Sequence, residues 1–447
     1  MTFAYHNFMN KLVFYFNLAR LALFQISFGI IYAILTDTLN RVMTIELGIA
    51  AALVGMLIGI RELMVLLGVK IWAGNLSDHT RFFGYKRTPF ILGGLALCCA
   101  TFSLIAPLAI DLQQNFWINL PLLILIFTIF GIGYHASLTT YYALIADYAG
   151  EKSLSKVAAV SWILMVLSGI FTAVAMSQAL KDFTHDKLIA AMRNASLISF
   201  LFGTLMTIGL ERRHQDSVQQ QSEPSLTFLQ SLALINASPL TKGFFFYVFI
   251  SIFAAFGNEL IMEPFGADVH GLSVSETTKF RQYLGSTQLL FMLITGFAIN
   301  RIGLKTAIAF GNTVAAVGFF VLLLSGLWHQ SALLYTGLIV IGVGLGCSTV
   351  SNIVFMISMH AGRTGLYLGL WGTAQSLANF SGELGMGAIR DVLLYTFASP
   401  NLAYGAVFLL EILAFSIATL MLPRFSQEKL QRESKVSLER VLAVAAD

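Results

Sequence analysis

Along this chain apolar residues gather in runs of about twenty, broken by short polar segments. A helix rising about 1.5 Å per residue needs a run of that length to cross a hydrocarbon core of roughly 30 Å. In order, the runs predict spans at 18–38, 48–72, 89–110, 119–146, 156–180, 188–210, 242–264, 280–299, 305–327, 332–358, 364–389 and 401–422. The expected fold class is therefore an all-α membrane protein of about twelve transmembrane helices. Prolines fit these limits. Pro89, Pro121 and Pro400 fall where spans begin, Pro107, Pro264 and Pro423 where they end, and Pro224 and Pro239 between the sixth and seventh. Span interiors are thus expected to lack the residue that has no N–H and clashes with the preceding turn.

One long polar stretch, Glu211 to Thr241, divides six spans from six. The expected organisation is an N-terminal six-helix bundle (1–210), a linker (211–241), a C-terminal six-helix bundle (242–423) and a tail (424–447). Two such bundles with a site between them make the plan of a major facilitator. Internal repetition supports the split. After span two come Gly74, Asp78, Arg81, Gly84, Lys86 and Arg87, and a shorter echo after span eight runs through Gly296, Asn300, Arg301, Gly303 and Lys305. This pattern resembles the cytoplasmic gating motif of major facilitators. There the first glycine lets helices approach, the acid caps or pairs across helices, and the bases hold the loop at the membrane face. The tail from Ser426 to Asp447 is expected to form an amphipathic helix, with Leu430, Leu438, Val441, Leu442 and Ala445 on one side.

Composition narrows the classes. Of 447 residues 57% are hydrophobic and 11% charged, against roughly 25% charged in a soluble domain. Lys and Arg then set an orientation, because basic loops stay cytoplasmic. With the N-terminus inside, the cytoplasmic face holds Lys70, Arg81, Lys86, Arg87, Lys152, Arg212, Arg213, Lys305, Arg363 and the basic tail. The opposite face has only Arg41, Lys181, Lys187, Arg193, Lys279, Arg281 and Arg390. Both termini are expected in the cytoplasm. The net charge of +4 is this topological bias; no basic stripe points to nucleic acid. No cleavable leader is expected, since no small-residue cleavage site precedes the first span. Cys98, Cys99 and Cys347 all lie within spans, as packing residues rather than a disulfide framework or a zinc site.

Polar residues inside spans are costly and are the candidate site. Asn258, Glu259 and Glu263 stand on span seven, a cavity-lining position in this architecture, with the two acids four apart on one face. Arg61 and Glu62 in span two diverge by about 100° around a helix, so a partner on another helix is expected. Gln375, Asn379 and Glu383 form a polar stripe at four-residue spacing on span eleven. His135 in span four, between Gly131, Gly133 and the helix beyond, is a candidate axial ligand for a pigment magnesium, with glycines that would admit a flat macrocycle. The alternative reading is an end-of-helix acid at the membrane surface for Glu259 and Glu263, interhelical hydrogen bonding for the stripe on span eleven, and a hydrogen-bonded packing residue for His135. No catalytic residue and no resident metal are expected.

Several segments resemble the PucC/LhaA family. They are Arg20 to Gln25 with Asp37, Asn40, Arg41, Glu46 and Gly48; Asp147 to Lys152 with Lys156; Glu263 to Asp268 with Gly271 to Thr278; and Gly365 to Gly372 with Arg390 and Asp391. They spread from the first span to the eleventh. The resemblance implies an assembly factor for light-harvesting or photosystem complexes in a photosynthetic inner, intracytoplasmic or thylakoid membrane. It also implies binding or delivery of chlorophyll or bacteriochlorophyll, with a carotenoid as a further candidate. Light-harvesting or photosystem subunits, membrane lipid and pigment-biosynthesis enzymes are the implied partners. The alternative is a proton-coupled secondary transporter of a small solute, with Glu259 or Glu62 carrying the proton; fold alone does not separate the two. An enzyme is not expected. Asp182 and Asp186 have the spacing of a diphosphate-binding acid pair, but it is a single cluster where such chemistry needs two.

Overall fold

The computed structural model describes residues 2–149, 151–211, 239–358 and 364–425. The tail helix expected from Ser426, and nearly all of the linker, lie outside the described residues. The described secondary structure is helical, apart from one bridge between Phe82 and Tyr85. Ten of the described helical runs are long and apolar enough to cross a membrane, and a pair bent by 50°, Ala51–Leu66 with Val69–His79, makes an eleventh. The remaining expected span, 364–389, falls on a helix of 34 residues, Thr364–Phe397. Gln375, Asn379, Glu383, Arg390 and Asp391 dilute its apolar run, and it is not among the eleven.

Contacts group the chain into two compact units, one drawn from Met1–Leu35 and Val69–Gln220, the other from Thr36–Gly68 and Gln221–Asp447. The first contains α1 (Thr2–Leu23), α2 (Gln25–Ala33), α4 (Val69–His79), α5 (Thr88–Ile110), α6 (Phe116–Ala149), α7 (Glu151–Ala179) and α8 (His185–Thr207). Helices α5 and α6 approach closely through glycine. A Cβ on Gly94 would lie 2.7 Å from the Gly133 carbonyl oxygen, and one on Gly133 the same distance from that of Gly94. Gly74, where a close approach was expected, has no such need; a Cβ there would meet Thr139 at an ordinary 3.8 Å. Arg20 closes the end of α8 by donating to the carbonyls of Leu205 (2.8 Å) and Ile208 (2.7 Å), a cation on the negative end of a helix.

The second unit contains α3 (Ala51–Leu66), α9 (Pro239–Phe256), α10 (Glu259–His270), α11 (Val274–Thr278), α12 (Phe280–Ile302), α13 (Leu304–Trp328), α14 (Ser331–Ser358), α15 (Thr364–Phe397) and α16 (Pro400–Met421). Its apolar core is built on Phe265, Phe319, Leu322, Leu338, Phe408 and Phe415, all 0–1% exposed. Helix α3 lies against α15 with almost no gap: a Cβ on Gly55 would fall 1.9 Å from the Glu383 carbonyl oxygen, and one on Gly387 2.6 Å from that of Ala51.

Two expectations change here. The segment after the first span, 37–48, is not a loop: Ile34–Leu39 and Val42–Glu46 continue the helix in π turns. These wider turns tend to occur at functional sites. Prolines also enter helix interiors, with Pro107 inside α5, Pro121 inside α6 and Pro264 inside α10. Span seven breaks instead at Gly257–Asn258. Pro264 removes the N–H that the Leu260 carbonyl would otherwise accept, and the Asn40 side-chain amide donates to that carbonyl at 2.7 Å. A residue from the π-helical stretch thus replaces the missing backbone donor.

Candidate functional site

The charged candidates of the second unit take part in clusters of ion pairs and hydrogen bonds, wholly or partly buried. The π turns bring Thr36, Asp37, Asn40 and Arg41 to the same region as α10–α12. Arg281 of α12 donates to Asp37 from two nitrogens, one of them at 2.8 Å to Oδ1, and to the Thr36 hydroxyl at 3.2 Å. The same guanidinium lies 3.9 Å from Glu259 Oε1. Arg41 is paired with Glu46 and also donates to the Leu272 carbonyl at 3.1 Å. Glu263, buried on α10, accepts from the Thr277 hydroxyl at 3.3 Å and lies within electrostatic reach of Asp37, Arg41 and Arg281.

A second part of the network crosses from α3 to α15. Arg61 donates to Glu383 Oε1 at 2.6 Å and sits 3.3 Å from Glu62, with its side chain 1% exposed. Glu383 is therefore the partner on another helix that the Arg61–Glu62 neighbourhood required, and Glu62 and Glu259 also act on it electrostatically. Gln375 and Asn379, two turns and one turn before Glu383 on α15, are half-buried, and Asn379 Oδ1 has no hydrogen-bond partner. Asn258 stands at the break before α10, with its amide 3.5 Å from the Ala254 carbonyl. A third part ties the end of α15 to α10 and α16. Arg390 donates to Asp268 (2.6 Å), Asp391 (2.8 Å) and Tyr404 (3.2 Å), Tyr404 donates to Asp268 (2.6 Å), and Asp391 accepts the backbone N–H of Ala52 (2.8 Å).

Buried charges are tolerated only when paired and hydrogen-bonded. Each arginine here is ion-paired, although Arg41 Nε has no hydrogen-bond partner, and carboxylates outnumber guanidiniums. Glu263 Oε1 and Glu383 Oε2 have no hydrogen-bond partner. The arrangement can therefore hold helices together and still accept a donor from elsewhere.

Sequence reasoning had not placed Asp37, Arg41, Arg281, Asp268 and Arg390 in a site. Their signal lay elsewhere: Asp37, Arg41, Glu46, Glu263, Asp268, Thr277, Arg390 and Asp391 all stand in the segments that resemble the PucC/LhaA family. Arg41, Arg281 and Arg390, counted there as loop charges, are engaged in ion pairs.

The remaining candidates belong to the first unit. Phe83 (φ 54°) and Gly84 (φ 84°) form a two-residue turn between Phe82 and Tyr85, whose backbones exchange hydrogen bonds of 3.0 and 2.9 Å. Two left-handed residues in succession define a type I′ turn. Asp78 pairs with Arg87 (2.6 Å) and Lys86 (3.0 Å), and Arg87 also reaches Asp147 (3.0 Å) and Ser77 (2.6 Å). Glu211 accepts the backbone N–H groups of Lys86, Arg87 and Thr88, capping α5 from a distant part of the chain. Arg81 is exposed beside the turn.

His135 is buried on α6, 4% exposed. The face of Gly133 is covered by α5, so that glycine is not open to a ligand. Among the described residues no group of three His, Cys, Asp or Glu side chains could hold a metal ion.

Residues 38–430 match the family described as PUCC protein. The "Bacteriochlorophyll synthase 44.5 kDa chain" of Rhodobacter capsulatus is 30% identical over 414 residues, covering 90% of this chain and 93% of that one. A protein PucC of Rhodobacter capsulatus is 27% identical over 418 residues, covering 90% of each chain. Among solved structures, the nucleoside transporter NupG superposes with a TM-score of 0.66 at 14% identity over 91% of this chain and 98% of its own. A D-xylose-proton symporter gives 0.63 at 16% identity over 91% and 97%. At such identity the likeness shows the fold alone, and that fold is the major facilitator's.

Proposed function

This chain belongs to the PucC family, and from that premise we propose that it is an assembly factor for (bacterio)chlorophyll-binding light-harvesting or photosystem complexes. It acts in a photosynthetic membrane, with pigment as cargo and the complexes' subunits as clients, and it is not an enzyme. The observation that carries the reading is the convergence of the family-resembling residues. Segments far apart in sequence are joined within the second unit, Asp37 to Arg281, Arg41 to the Leu272 carbonyl, Glu263 to Thr277 and Asp268 to Arg390. The relatives named for bacteriochlorophyll synthase and PucC support the photosynthetic setting. A carotenoid is a second candidate cargo, and pigment-biosynthesis enzymes are further partners.

Pigment on this reading lies in a lateral, aromatic-lined groove open to lipid, since flat apolar rings pack well on aromatic faces. The covalent plan of two six-helix bundles, a cytoplasmic linker and a cytoplasmic tail belongs to the same proposal, as does the gating role of Gly74 to Arg87. Single cysteines placed at 152 and 181 and treated with an impermeant label test the orientation: only position 181 should react from outside.

Purification in mild detergent, an absorption spectrum and identification of copurifying proteins test the function. Pigment together with light-harvesting or photosystem subunits is expected. Absence of both, with proton-driven solute uptake in proteoliposomes, would replace this reading by a secondary transporter. With His135 as a candidate ligand, His135→Leu should lower the pigment content of the purified protein while leaving its expression and fold intact.

A further inference from the structure

Glu411 stands in the middle of α16 and is 0% exposed. Its neighbours one turn away on the same face, Val407, Phe408, Ala414 and Phe415, belong to the apolar core and are at most 2% exposed. Neither carboxyl oxygen has a hydrogen-bond partner. The side chain aims at the break in span seven: a Cβ on Gly257 would lie 3.2 Å from Glu411 Oε1 and 2.6 Å from the Phe253 carbonyl oxygen. On another side the break is sealed by glycine, since a Cβ on Gly382 would sit 2.6 Å from Gly257 Cα.

The charged groups on the elements around α16 do not serve this carboxyl. On α15, Glu383 is held by Arg61, and Arg390 by Asp268 and Asp391. On α10, Glu259 lies toward Arg281 and Glu263 toward Thr277, while His270 is beside Ser325. Tyr404, two turns back on α16, is engaged with Asp268 and Arg390. The bases of α9 and α13 are remote. Gly243, next to Lys242, packs on Phe425, and the opposite end of α13 from Lys305 lies beside Asn401. Arg424 is about 20 Å further along the chain axis.

A lone ionised carboxylate in an apolar membrane-spanning core is far costlier than a neutral acid. We propose that Glu411 is a proton-binding site of the second unit, seated on the span-seven break. It carries one proton in the conformation described here and releases it when movement at Gly257–Asn258 admits water or a cation. This assignment differs from the proton carriers expected from sequence, Glu259 and Glu62, each of which has a basic neighbour. It stands whether the cargo is pigment or solute.

Infrared spectra of the full chain in mild detergent, recorded at neutral and alkaline pH in water and deuterium oxide, test it. The wild type should show at neutral pH a protonated-carboxyl carbonyl band that shifts on deuteration. Glu411→Gln should lose that band, and Glu411→Asp, which keeps the acid, should retain it at a displaced frequency. The displacement in the aspartate variant holds the assignment open to test even if the glutamine variant fails to fold. A wild type without the band at neutral pH, or a band unaltered in both variants, would overturn the proposal.

Discussion

The two units use charge in opposite ways. In the first, Asp78, Lys86, Arg87, Asp147 and Glu211 gather at helix ends, partly exposed, around a tight turn and a helix N-terminus. In the second, Asp37, Arg61, Arg281 and Glu383 lie within the helical layer and join elements separated by more than two hundred residues. End-capping charges satisfy backbone groups that every helix leaves open and cost little to maintain. Interior charges must be paired or they destabilise, so their geometry is held on both sides. The second arrangement fixes which helices pack together; the first fixes where a helix begins.

That contrast breaks most sharply at Arg61. Arg61→Ala leaves Glu383, with its side chain 6% exposed, without its guanidinium. Removing one partner of a buried pair costs about 3–5 kcal/mol, so a large fall in thermal midpoint in detergent is expected, partly recovered in Arg61→Ala/Glu383→Gln. A single variant as stable as the wild type would show that the interior charges do not hold α3 to α15.

Glu211→Ala removes one carboxylate from three backbone donors at the start of α5. A loss of about 1–3 kcal/mol is expected, along with faster proteolysis at the Phe82–Tyr85 turn. Equal or greater damage than in Arg61→Ala would reverse the ranking of the two regions.

Asn40→Ala strands the Leu260 carbonyl, at a cost of about 1–2 kcal/mol. Pro264→Ala restores a backbone N–H to that carbonyl and should suppress the loss in the double variant. Additive losses would mean that Asn40 acts through some other contact. The smallest effect is a gain. Phe83 is 88% exposed at φ 54°, and Asn tolerates the left-handed region better. Phe83→Asn should raise the midpoint, by up to about 1 kcal/mol of stability, with no change in the second unit.

The same contrast explains what the sequence disclosed. Asp78 to Arg87 could be read as a motif because its parts are neighbours along the chain, and the runs of apolar residues marked the helices because a membrane imposes one length on all of them. Arg281 and Asp37 carried no such signal, since nothing local in either residue names the other. Pro264 was misplaced to a span end because the rule against proline in helices assumes that the freed carbonyl stays empty, and Asn40 fills it. Glu411 drew no notice, being the one acid in an otherwise apolar run. Its lack of partners emerges only from the packing of α16.

The π turns at Ile34–Leu39 and Val42–Glu46 bear on how this sequence is aligned to others of its fold. Each such turn takes in one residue more than an α turn, and one residue is worth about 100° around the helix. A gapless alignment through this stretch to a regular helix would therefore set Arg41 and Glu46 on wrong faces and misread a paired arginine as a lipid-facing one. Placing single-residue insertions within 34–39 and 42–46 keeps Asp37, Asn40 and Arg41 turned toward Arg281, Leu260 and Leu272.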